Sequence, residues 1–194
     1  MKKYLLFSFL VCMICGCAET SAKRDVKKIE KVCYANDYEK AHLILSKLRQ
    51  NAIGDRDFRK YYLSALETVY TSELTYIVLN YPENAELRIR VLMNEIQTFG
   101  TRPSSDAMDV SVSESYSYRD YQKWLLSYNT ICRKLLDLAI GIKSQNLAKL
   151  AVSLTKENLE VYDGFLGCGI KVVYTDRESI TSKYEDAVNS GLFE

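Results

Sequence analysis

His42 is the single histidine of this 194-residue chain. Any relay of the Ser-His-Asp or Cys-His kind, in which an imidazole takes a proton from a nucleophile, would have to run through it. It stands beside Ala41 and Leu43, with Glu39 three residues before it and Ser46 four after. In a helical pattern with no nucleophile motif, such a histidine reads as a packing or surface residue. Paired carboxylates cleave glycosides without a histidine, and Glu67, Glu73, Glu95 and Glu114 are candidates by number. None has a recognisable catalytic context, so each reads as part of a solvated face. Cys33, Cys132 and Cys168 lack the C-x-x-C spacing of a zinc site. Gly164, Gly167 and Gly169 do not lie between a clear strand and a helix, as a phosphate-cradling loop requires. The expectation is no catalytic residue, no metal and no cofactor.

The remaining cysteines crowd the other end of the chain, where MKKYLLFSFLVCMICGC holds Cys12, Cys15 and Cys17. Lys2 and Lys3 followed by an apolar run from Tyr4 to about Ile14 have the layout of a secretory signal peptide. The run falls short of the about 20 apolar residues that a membrane-crossing helix needs. Ile14-Cys15-Gly16-Cys17 resembles the lipobox of bacterial lipoproteins: an aliphatic residue, a variable one, a small one, then cysteine. Cys15 departs from the small residue usual at its place. The resemblance implies that Cys17 receives diacylglycerol and that residues 1–16 are removed before it. It also implies exported localisation in the cell envelope, with the outer membrane favoured where there is one, since Ala18 is not the aspartate of inner-membrane retention. Two or more acyl chains, at about 0.8 kcal/mol per buried methylene, hold a domain on a membrane almost permanently.

Losing Lys2 and Lys3 with the leader takes the formal charge from +1 to −1, which leaves no overall electrostatic footprint for nucleic acid or an anionic membrane. The mature length suits one domain with a real core. Three widely spaced cysteines besides Cys17 make no disulfide framework, so core packing is the expected role of Cys33, Cys132 and Cys168, with one bridge left open. The expected layout is a signal peptide over 1–16, a lipid-anchored tether over 17–24, and a single helical domain over 25–194 with a flexible loop near 100–116.

With two prolines and eight glycines, the chain has little punctuation, and its apolar residues recur at helical intervals, so the fold class is all-α. The clearest stripe runs through Tyr121, Leu125, Tyr128, Cys132, Leu135, Ala139 and Ile142, widened by Trp124, Ile131 and Leu138, with Ser117 and Asp120 in capping-box positions. Other helices are expected over 25–35, from Asp37-Tyr38 to about Asn51, from Asp57 to about Asn80 with a break possible at Thr71-Ser72, after Pro82, and over 146–162. A last one should start from a Thr175/Glu178 capping box. Ile170 to Tyr174 is β-prone, but a short strand there has no evident partner.

Asn36-Asp37-Tyr38-Glu39-Lys40-Ala41, followed by Leu45 and Leu48, resembles the turn and second helix of a tetratricopeptide unit, and Tyr184-Glu185-Asp186-Ala187 echoes four of those letters. The first-helix tryptophan and glycine and the closing proline are missing, and no 34-residue period links the copies. The expected architecture is antiparallel helical hairpins, tetratricopeptide-like or packed as an irregular bundle. Fifteen tyrosines are the remaining feature, and Tyr61, Tyr62, Tyr116, Tyr118 and Tyr121 are candidates for an aromatic binding surface. The favoured function is a lipid-anchored envelope module that binds a protein partner, without catalysis. The alternatives are an assembly or secretion helper of the kind the tetratricopeptide resemblance implies, and a degenerate cell-wall glycan hydrolase. If Cys17 carries the lipid, palmitate labelling of the full-length protein should vanish in Cys17→Ser; labelling that survives contradicts the assignment.

Overall fold

The computed structural model describes residues 19–96, 118–160 and 170–193, the side chains of 118–119, 157–160 and 170–174 excepted. Among these residues the chain forms seven α-helices and a short 3-10 turn, packed as a bundle with no strand. Helix α1 covers 19–34. It is followed by α2 (Tyr38–Gly54), α3 (Arg56–Asn80), the turn Pro82–Asn84, and α4 (Ala85–Asn94). Then come α5 (Tyr118–Gly141), α6 (Gln145–Glu160) and α7 (Ile170–Asn189). α3 packs on α2, α4 and α5, and α5 packs on α6 and α7, so these two long helices form the spine. No helix among the described residues is long and apolar enough to cross a membrane.

The caps follow from local chemistry. The Asp37 side chain accepts from the Lys40 N–H at 3.2 Å and opens α2, and that of Asp55 accepts from the Asp57 N–H at 2.8 Å and opens α3. Three helices close with a left-handed residue: Asn36 and Lys143, both at φ 58°, and Gly191 at φ 69°. In each, the next N–H reaches back five residues, as Asp37 to Val32 O, Ser144 to Ala139 O and Leu192 to Ala187 O. Carbonyls that a helix end would orphan are thereby satisfied. Lysine is an awkward choice for that backbone, since its Cβ crowds the following carbonyl.

The expected stripes form the core. Ala41, Leu45 and Leu48 of α2, Ala85, Ile89 and Leu92 of α4, Leu147, Leu150, Ala151 and Leu154 of α6, and Ile180 and Ala187 of α7 are all buried. On α5 every expected position from Tyr121 to Ala139 is buried except Leu138, which packs against the core from its edge. Cys33 and Cys132 are buried free thiols.

Several expectations change. α1 is helical from residue 19, with Ala22 in the core, so 19–24 of the expected tether belongs to the packed domain. It is held there by Glu19, whose carboxylate accepts from the Tyr61 hydroxyl at 2.6 Å and lies 3.1 Å from Lys23. The Tyr61 hydrogen bond first, and Lys23 second, hold that carboxyl below its ordinary value. α3 does not break at Thr71-Ser72: Thr71 and Thr75 hydroxyls donate to the Glu67 and Thr71 carbonyls within the helix. Ile142 lies past the end of α5 in the turn and is exposed. The Asp120 carboxylate, expected in a capping box, accepts from Arg59 in the core, and its expected capping partner Ser117 lies outside the described residues. The β-prone run from Ile170 is helical, so Thr175 and Glu178 lie inside α7 rather than at its start. With no strand among the described residues to share hydrogen bonds, the helix satisfies that backbone locally, and context overrides propensity. The leader and Cys17, the 100–116 loop, Phe99, Ser117, Val161, Tyr162, the three glycines of 164–169 and Cys168 lie outside the described residues.

Leu135 is fully buried at the middle of α5. Leu135→Ala should cost about 2–5 kcal/mol in denaturant unfolding, while Lys143→Gly should raise stability by up to about 1 kcal/mol by relieving the left-handed backbone. Equal midpoints for the two variants would contradict both placements.

Candidate functional site

A groove of about 580 Å³ lies between the start of α2, the last turns of α3, and α4. Three tyrosines form its aromatic part. Tyr38 is delivered by the tight turn at Asn36-Asp37, Tyr76 by α3, and Tyr81 by the chain reversal before Pro82. The Tyr38 and Tyr76 ring centroids are 5.4 Å apart at 48°, and those of Tyr76 and Tyr81 are 5.9 Å apart at 71°. Such tilted pairs match ring edges to ring faces. The Arg88 guanidinium from α4 lies 3.9 Å from the Tyr81 ring centroid, a cation–π contact across the groove. The Tyr38 hydroxyl is 3.2 Å from both the Ser72 carbonyl and Asn36 Oδ1, which fixes its ring against α3. Ile77 and Leu92 line the groove from the core, and Leu87 and Val91 line it while staying 68% and 53% exposed. An i, i+4 pair of large apolar side chains left in solvent beside an aromatic groove has the makeup of a contact surface.

Glu73 and Glu95 bring carboxylates to the same groove. Glu73 Oε2 is 2.6 Å from His42 Nε2, a cross-link between α2 and α3, and the His42 ring meets the Tyr70 ring edge-on at 5.3 Å. His42 and Glu95 also line a smaller neighbouring hollow of about 120 Å³ with Ser46, Arg49 and Tyr70. The carboxylate partner of His42 thus comes from α3, not from Glu39 of its own helix. Glu73, expected on a solvated face, is instead part-buried and paired. Sequence spacing could not reveal this, because the two residues are 31 apart.

Cys33 at the end of α1 lies against Ser72 and Glu73, so a thiol, a carboxylate and an imidazole gather at one end of the bundle. The thiol is not poised for attack. Burial, reinforced by the Glu73 charge and only partly opposed by a hydrogen bond with Ser72, pushes it up to about 11. A protonated buried thiol is a poor nucleophile. Burial likewise pushes Tyr38 up to about 12, and Tyr62 and Tyr70 upward. Among the described residues no group of three His, Cys, Asp or Glu side chains is arranged to hold a metal ion.

Of the tyrosines expected to form an aromatic surface, the three with described side chains, Tyr61, Tyr62 and Tyr121, do not line this groove. Tyr62 and Tyr121 are 1% and 0% exposed and belong to the core. Tyr61 packs against the core and donates to Glu19. Tyr116 and the side chain of Tyr118 lie outside the described residues. Tyr38, Tyr76 and Tyr81 form the cluster instead. The helical phase of 76 against 73, 77 and 80 gave a face, but the reversal at Pro82 decided which tyrosines meet. No family model matches the chain, and no curated protein or solved structure matches it significantly.

Groups whose values are raised by folding favour the folded state fully below their ordinary values and lose that contribution as pH rises toward the raised ones. Cys33 rises from 9.0 to about 11 and Tyr38 from 10.0 to about 12. Stability measured by denaturant should therefore hold up to about pH 9 and fall from there toward pH 11, and Cys33→Ala should flatten the first part of that fall. A stability that rises over this window would contradict the burial of these groups.

Proposed function

We propose that the protein is a lipid-anchored binding module of the bacterial envelope, tied to the membrane at Cys17 and engaging a protein partner through the Tyr38–Tyr76–Tyr81 groove. The observation that carries the reading is the groove's composition: three tyrosines and an arginine, the residue types that concentrate interface energy, beside the solvent-exposed Leu87 and Val91. An apolar side chain of the partner would seat against Ile77, Leu87 and Val91. Arg88 on its tyrosine and Glu95 at the end of the same helix would select the polar groups at the rim. His42 and Glu73 act as a brace that holds α2 against α3, so the groove keeps its width. An assembly or secretion helper is the same module with a defined client.

A glycan hydrolase has one observation in its favour, two carboxylates in one groove. Against it, Glu73 is engaged by His42, which leaves Glu95 to act without a second carboxylate free beside it.

Photocrosslinking amino acids placed at Leu87 or Val91 of the full-length protein in envelopes should trap a discrete partner, and the same group at exposed Lys149 on α6 should not. The product should be lost with Arg88→Ala and Tyr81→Ala, reduced with His42→Ala, which removes the brace, and kept with Lys149→Ala. Equal trapping at all three sites removes the groove from the reading, and muropeptide release abolished by Glu95→Gln replaces it with the hydrolase.

A further inference from the structure

The packed helix α1 begins by residue 19, only two residues after Cys17. An extended chain spans at most about 3.6 Å per residue, so a lipid on Cys17 would keep Glu19 within about 7 Å of the anchoring point. Glu19 is tied to the start of α3. It is bound to Tyr61 at 2.6 Å and lies 3.9 Å from Lys60, both in the first turns of α3, while Ala22 sits in the core. An anchor at Cys17 therefore holds a particular end of the bundle, the end where α1 and α3 start, rather than a domain on a flexible leash.

α5 starts at the same end, because Asp120 pairs with Arg59 at 2.5 Å. Between the starts of α3 and α5 lies a second cleft of about 560 Å³. Arg56, Lys60 and Lys123 line it over an apolar floor of Leu63 and Leu126, and Asp57 and Glu67 share its wall. The near-neutral charge of the whole chain conceals this gathering of cations, because they come from two helices brought together by folding.

We propose that this end of the bundle lies against the bilayer that holds the anchor, with Arg56, Lys60 and Lys123 meeting anionic lipid headgroups. The inference rests on the reading that Cys17 carries the lipid. Basic side chains next to a lipid anchor add a second membrane contact, and attraction to anionic headgroups acts only within about a Debye length of the surface. The tether of two residues meets that condition. The opposite end then faces away from the membrane. Tyr76 is about 22 Å along α3 from Tyr61, and Tyr34, 93% exposed at the end of α1, is a similar distance from Glu19. The aromatic groove would thus be held clear of the lipid surface.

Full-length protein carrying Lys60→Cys or Tyr34→Cys can be labelled with a small fluorophore under native conditions that spare the buried Cys33 and Cys132, the parent protein giving the background. It is then reconstituted in vesicles containing phosphatidylglycerol and headgroup-level quencher lipids. The label at position 60 should be quenched severalfold more than that at position 34. An insertion of about 20 Gly/Ser residues between Ala18 and Glu19, adding roughly 25 Å of reach, should reduce the difference. Replacing the anionic lipid with phosphatidylcholine in that long-tether form should abolish it. Palmitate on Cys17 is scored in every sample. A protein without it overturns the anchor and this inference together. A lipidated protein quenched equally at both positions overturns the orientation and leaves the anchor standing.

Discussion

The guanidinium of Arg59 is buried where three helices meet. Its Nε–H donates to the Ala52 carbonyl at the end of α2, 3.0 Å away, and its Nη1 donates to Asp120 of α5 at 2.5 Å. A charge removed from water is tolerable only when it is paired and its hydrogen bonds are met, and removing one partner of such a pair leaves the other stranded. These bonds fix the start of α5 to the start of α3 and leave little room for another register. Two residues further along α3, Tyr61 ties in the start of α1 through Glu19. The first two turns of α3 thus set the placement of α1, the end of α2, and α5, and the rest of the bundle stacks on that arrangement.

Away from this hub the packing is apolar and aromatic. Tyr121, Trp124 and Tyr128 follow one another on α5 with ring centroids 5.7 and 5.6 Å apart, all buried. They add large apolar areas to the α5 core, and ring pairing adds to the burial. At the other end of α3 the same residue type does something different. Tyr38, Tyr76 and Tyr81 pack on one another, yet they line a groove between α3 and α4 that no helix among the described residues fills. Whether a tyrosine acts as core or as surface depends on what the next element covers, not on its own chemistry.

The two ends of α3 therefore have different characters. One is charged, packed beside the start of α1, and locked by ionic and hydrogen-bonded contacts. The other is aromatic and apolar at its rim, braced by the His42–Glu73 pair. A 25-residue helix joins them as a rigid element about 38 Å long. With this separation, a contact made at the groove need not disturb the packing at the hub.

Much of the helical architecture was legible in the sequence, because helices are specified locally. The 3–4 spacing of apolar residues placed α2, α4, α5 and α6 with their buried faces, and Asp37 stood where the first-turn N–H groups of α2 need an acceptor. Local signals misled where tertiary contacts outweigh them. Ile170–Tyr174 has β propensity but no strand among the described residues to pair with, and residues 19–24 look like polar linker until Tyr61 and Lys60 supply partners for Glu19. The groove was the least legible part. It requires His42 to meet Glu73 and Arg88 to meet Tyr81, and no periodicity within one helix encodes which faces of different helices meet. The sequence by itself determined the helices and their apolar stripes, through backbone hydrogen bonding and side-chain spacing. Tertiary structure alone decided which charges are buried together and which tyrosines remain open to solvent, because both depend on residues brought close only by packing.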